Sequence, residues 1–116
     1  MINLSCTEAE TLALNFLLED LEIPEDDRDF FSVLAVRETG SEWYIVEIGV
    51  AGLPDKWSIQ VFDTGYCDPC YTFTSPMPRG EDADLQEFPD RIAKVIAMER
   101  CEGRFSDQPS QGLTQI

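Results

Sequence analysis

Apolar residues recur at three- and four-residue spacing at Ala9, Leu12, Ala13, Phe16, Leu17 and Leu21. That is the stripe of a helix buried on one side. Two S/T-x-x-E registers precede it, Ser5 to Glu8 and Thr7 to Glu10, and either satisfies the form of a capping box. Pro24 and the acidic run around it end the helix. From residue 30 the period changes to two. "FFSVLAVRE" (30–38) is rich in β-branched and aromatic residues, "TGS" turns the chain, and "EWYIVEIGV" puts Tyr44, Val46, Ile48 and Val50 on one face. This reads as a hairpin. "AGLPDK" is a loop, and "WSIQVF" alternates again, with Trp57, Ile59 and Val61 together. After the "DTG" turn, "YCDPCYTFT" returns as a fourth strand, placed at an edge because Pro69 donates no ladder hydrogen bond.

"SPMPRGEDAD" is a loop, and a second helix runs from about Phe88 or Pro89 to Cys101. Ile92, Val95 and Ile96 form its apolar stripe, Arg91, Lys94 and Arg100 its polar side, and Gly103 stops it. Residues 104–116 have turn-type composition and are expected to form a flexible tail after a single domain, 1–103. The element order predicts an α+β fold: N-terminal helix, four-stranded antiparallel meander, C-terminal helix, with the helices on one face of the sheet.

Composition limits the partners more than it alters the fold. The 116 residues suffice for one hydrophobic core, and no apolar run approaches the roughly 18 residues that span a bilayer. "MINLSCTEAE" has neither the basic region nor the apolar core of a signal peptide, so a cytoplasmic setting is expected. Twenty-three acidic residues face 8 basic ones, with no histidine, for a net charge of −15. Such a charge repels nucleic acid and anionic membranes and favours a basic protein surface. Much of the acid lies in "EDLEIPEDDRD" (19–29), which reads as a solvated connector, while Arg91, Lys94, Arg100 and Arg104 gather near the C-terminus.

Cys67 and Cys70 are the conspicuous candidates for chemistry. Cys-Asp-Pro-Cys resembles the thioredoxin motif in its four letters. That chemistry, however, needs a helix N-terminus to stabilise the thiolate, and "YTFTSPMP" follows here. Residues three apart in a strand face opposite ways, and Asp68 beside the thiols raises a thiol pKa. A zinc site would have to recruit Cys6 and Cys101, at the outer ends of the two helices. "VFDTGY" resembles the aspartic-protease motif over residues 61–65, but Tyr66 stands where that family has Ser or Ala, and a hairpin turn accounts for the same letters. Without histidine, Ser-His and Cys-His pairs are impossible.

The remaining signal is aromatic. An antiparallel sheet with helices on one side leaves its other face available, and aromatics there suit protein contact. In element order and acidity the chain resembles small bacterial immunity and accessory proteins, cystatin-like ones included. The expected function is therefore a non-enzymatic interaction domain that binds a basic protein partner, with no cofactor. Trp43, Trp57, Asp63, Tyr66, Asp68 and Tyr71 are the expected contact residues, on an acidic, aromatic-bearing face. The alternative is a thiol-based redox or metal-responsive protein using Cys67 and Cys70, and the third a small-molecule site between sheet and helices.

Overall fold

A computed structural model describes residues 4–40 and 42–102. The expected tail, 104–116, and the Gly103 helix stop lie outside the described residues.

The first helix, α1 (Cys6–Asp20), takes the earlier of the two capping registers. The Glu8 amide donates to Ser5 Oγ at 3.1 Å, and the Ser5 amide donates to Glu8 Oε1 at 2.9 Å. Ala9, Ala13, Leu17 and Leu18 are its buried positions. It ends before Pro24 does its work: Leu21 caps it and Glu22 turns the chain at φ 57°. The acidic connector is ordered as 3-10 turns over Glu25–Phe30, none of whose residues is buried, so its charges stay in water.

Strands β1 (Phe31–Thr39), β2 (Trp43–Val50), β3 (Lys56–Phe62) and β4 (Thr72–Thr74) form one antiparallel sheet in sequence order. The α+β fold with a four-stranded meander between two helices is thus as the periodicity predicts. Tyr44, Val46, Ile48, Val50, Trp57, Ile59, Val61 and Phe73 all point to the buried side. α1 lies across β1, β2 and β3 on that side, and Tyr44 donates its hydroxyl to the Leu4 carbonyl at 2.8 Å. Helix α2 (Asp90–Glu102) joins the same core through Ile92, Val95 and Ile96. Each such apolar side chain contributes roughly 1.5–3 kcal/mol on burial. A surface pair such as Arg37–Glu47, at 3.6 Å, contributes roughly 0–1 kcal/mol. Apolar burial therefore holds the two layers together.

Two parts of the pattern depart from expectation. The fourth strand is three residues long, because four residues (68–71) lie opposite two of β3 between the Ser58–Thr72 and Val61–Cys67 pairings. Its Cys-Asp-Pro-Cys stretch is a two-residue excursion from the ladder.

Arg100, expected on the polar side of α2, is instead fully buried, four residues on from Ile96. Its guanidinium donates to both carboxylate oxygens of Asp55, at 2.8 and 2.6 Å, and to Asp84 at 2.9 and 3.2 Å. The Glu81 carbonyl accepts a further bond at 2.8 Å. Arg100 thereby ties the end of α2 to the β2–β3 loop and to the segment before α2. Arg91 makes a second tie, donating two bonds to the Leu21 carbonyl at the C-terminus of α1, at 3.0 and 2.7 Å. Carbonyls there lack intrahelical partners and welcome a cation.

Candidate functional site: the open face of the sheet

Cross-strand pairing fixes which residues share the face that neither helix covers. It carries Ser32, Ala35, Arg37 and Thr39 from β1, and Trp43, Ile45, Glu47 and Gly49 from β2. β3 adds Lys56, Ser58, Gln60 and Phe62, and β4 adds Thr72 and Thr74. Apart from Gly49, all of these are exposed or half-exposed. Leu34, left over at a bulge in β1, is 55% exposed and reaches over Gly49. A Cβ on that glycine would lie 2.8 Å from Leu34 Cδ1.

One corner of this face is aromatic. Trp43 and Phe62 are directly paired across β2 and β3, with ring centroids 6.1 Å apart at 69°. Tyr66 lies nearly parallel to Phe62, with centroids 5.9 Å apart at 15°. The stack is set by the β3–β4 turn. The Gly65 amide donates to the Phe62 carbonyl and the Phe62 amide to the Tyr66 carbonyl, both at 2.8 Å. Gly65 has φ 91°, a region few other residues enter cheaply. This local turn accounts for the Asp63-Thr64-Gly65 letters. Phe62 covers one side of Tyr66, yet Tyr66 remains 56% exposed.

Charge is distributed differently from expectation. Glu47 sits between two cations on the strands, Lys56 at 3.2 Å and Arg37 at 3.6 Å. These three are the only charged residues among the strand positions on the open face, so the face itself is not acidic. Acid lies in the turns at the ends of these strands. Glu42 and Asp63 are in neighbouring turns joined by a 3.0 Å bond from the Asp63 amide to the Glu42 carbonyl. Asp68 is two residues beyond Tyr66, and its amide donates to the Gln60 carbonyl at 2.9 Å. With Cys67 turned to the core opposite Val61, Tyr66 and Asp68 share the open side.

Of the expected contact residues, Asp63 continues the Trp43–Phe62 pairing opposite Glu42 and takes the other parity. Trp43, Tyr66 and Asp68 share the open face. Trp57 does not: it is fully buried, packed on Phe31 and Phe73, and donates its indole N–H to Glu99 at 3.1 Å. Strand alternation puts it with Ile59 and Val61, and a residue there cannot reach a partner. Tyr71 also belongs to the helix side, because it shares the parity of Phe73. Its ring meets Phe16 edge-on at 6.3 Å, and its hydroxyl donates to Asp20 at 2.6 Å. It borders a shallow groove of about 210 Å³ with Asp20, Arg91, Met98 and Glu99. Phe62 and Ile45 were missed, although their alternation with Val61 and Tyr44 signals an open-face position.

Cys67 and Cys70 are free thiols with different surroundings. Cys67 is buried, and burial raises its pKa. Cys70 is exposed, its amide donating to Asp68 Oδ1 at 2.9 Å in a local Asx turn around Pro69. Among the described residues no three Cys, Asp or Glu side chains gather to hold a metal ion, and no helix is long and apolar enough to cross a membrane. No protein-family model, no curated protein and no solved structure matches this chain significantly.

Proposed function

We propose that this chain is a non-catalytic protein-interaction domain whose open sheet face binds a partner of basic character. The observation that carries the reading is the Trp43–Phe62–Tyr66 stack, presented on the face that neither helix covers. Rigid aromatics contribute much contact area at low entropic cost, and they dominate the energetics of protein interfaces. Ile45 and Leu34 extend the apolar surface across the sheet. Asp68 shares the face with these rings, and Glu42 and Asp63 lie in the turns beside them, which suits a partner with cations around an apolar centre. The net charge of −15 adds long-range attraction for such a partner, raising the rate of encounter rather than supplying most of the affinity.

A photo-crosslinking side chain tests this when placed at Ile45 on the open face or at Lys94 on the exposed side of α2. The Ile45 position should capture a discrete partner in cells, and that partner, once purified, should bind wild-type protein directly. Capture from Lys94 alone would contradict the assignment of the face.

A further inference from the structure

Resting on that reading for the partner's basic character, we propose that the partner joins the sheet by strand addition. An extended segment of it pairs antiparallel with residues 35–39 at the free edge of β1.

β1 is one edge of the sheet and is nine residues long, whereas β4, the other edge, has three. The register decides which backbone groups of β1 are free. The Asp63 amide donates to the Glu42 carbonyl, so positions 42, 44 and 46 exchange bonds toward β3. Positions 43, 45 and 47 therefore face β1, where they pair with Thr39, Arg37 and Ala35. The N–H and C=O groups of Val36 and Glu38 point the other way, off the sheet, and have no partner among the described residues. Donors and acceptors at two-residue spacing are the pattern that a further strand satisfies. The bulge at Leu34 blunts the edge before Ala35. From 35 to 39 the pairing is unbroken and holds neither proline nor lysine, residues that guard edges. A strand added there extends the open face beside Ala35, Arg37 and Thr39.

Side chains along the edge select the occupant. Glu38 is exposed, with no cation within salt-bridge distance among the described residues, so a cation fits opposite it. Arg37 is already held by Glu47 at 3.6 Å, so a neutral residue fits there. Val36 is half-buried against the core and suits a β-branched neighbour. An antiparallel segment with the sequence Lys-Thr-Val meets all three in order. Its continuation past Ala35 heads toward the start of β1 and the unburied acids of 25–29, which favours further cations. A second copy of this chain fits poorly. Twofold pairing centred on Arg37 sets it directly against its own copy, and pairing centred on Glu38 opposes two carboxylates. Pairing centred on Val36 runs Glu38 into the bulge at Leu34.

The full chain, labelled with ¹⁵N, is titrated with a capped heptapeptide carrying Lys-Thr-Val at its centre, and amide shifts and hydrogen exchange are followed. The Val36 and Glu38 amides should shift saturably and gain protection. Ala35, Arg37 and Thr39, whose amides already face β2, should gain little. N-methylation of the peptide's Lys or Val removes a ladder donor and should weaken binding roughly two- to tenfold, the range for one hydrogen bond. N-methylation of its Thr, whose N–H faces solvent, should not. Glu38→Lys, at an exposed position, should weaken the Lys-Thr-Val peptide and favour a Glu-Thr-Val one. Equal loss from all three N-methylations, or no saturable shift at Val36 and Glu38, overturns strand addition. Protection that rises with protein concentration before peptide is added assigns the edge to a second copy and overturns the occupant. Failure of the Ile45 crosslink, by contrast, removes the open face as a surface and leaves the outcome of the edge titration unchanged.

Discussion

Replacing Arg100 with methionine removes the one cation paired with Asp55 among the described residues, and the Asp55 side chain is 1% exposed. The methionine fills much of the same space, so the loss isolates charge rather than volume. Asp55 would be left buried without its two guanidinium bonds, at 2.8 and 2.6 Å. Breaking a buried pair from one side typically costs about 3–5 kcal/mol. A domain of this length has a total stability on the order of 6–17 kcal/mol, so the variant gives up a large share of it. Urea unfolding followed by near-ultraviolet circular dichroism reads the change through Trp57, which lies 42 residues from its Glu99 partner on α2. With a urea slope of about 1–3 kcal/mol/M, the midpoint should fall by roughly 1–5 M at unchanged slope. Adding Asp55→Leu should restore most of the loss, because replacing both ions by apolar groups is often neutral. A single variant costing less than about 1 kcal/mol, or a double variant no more stable than the single, would refute the role given to this pair.

Further outcomes follow from the same contacts. Arg100 holds the Asp84 carboxyl below the usual range, chiefly through their hydrogen bonds. The resulting stability is present above the unfolded carboxyl pKa, about 4, and lost as pH falls through the lower folded value. Asp84→Asn should therefore flatten the acid limb of stability against pH. Native alkylation at neutral pH should modify Cys6, Cys70 and Cys101, all exposed, and spare Cys67, whose thiol is buried and raised in pKa, until denaturant is added. Intact mass reads this directly, and rapid labelling of Cys67 would contradict its placement in the core. Gly49→Ala should change stability by less than about 1 kcal/mol by thermal or urea melt, because the added Cβ meets at 2.8 Å only the tip of the exposed Leu34 side chain, which can swing aside, and the Asp55 carbonyl at 3.2 Å. A loss of about 2 kcal/mol or more would mean that the Asp55 carbonyl does not give way.

Elements with a clean period were legible from the residues. The helix stripe at Ala9, Ala13 and Leu17 and the alternation of Tyr44, Val46 and Ile48 each describe a side that has to be buried. Helical period continues the buried stripe of Ile92 and Ile96 to Arg100, but its charge reads as solvent-facing until its anions arrive from 45 and 16 residues away. The truncated β4 was hidden for a related reason, since Pro69 signals an edge but not how many residues leave the ladder. At the candidate site, strand parity outweighs residue type. Applied consistently, it places Trp57 and Tyr71 on the helix side and brings Phe62 and Ile45 to Trp43. The acid-poor character of the open face also lay in the letters, in the alternation of Arg37, Glu47 and Lys56 with buried positions.

The claim that the open face is the binding surface is tested most directly by the affinity of the purified crosslinked partner for two variants. Tyr66→Ala removes an exposed member of the aromatic stack, and Lys94→Ala alters the exposed side of α2. Loss of an interface hot spot costs about 2 kcal/mol or more, which is roughly thirtyfold in Kd. Calorimetric titration should show a loss of that order for Tyr66→Ala and a change within about twofold for Lys94→Ala. Unchanged affinity for Tyr66→Ala with a large loss for Lys94→Ala would place the interface on the helices and contradict the account.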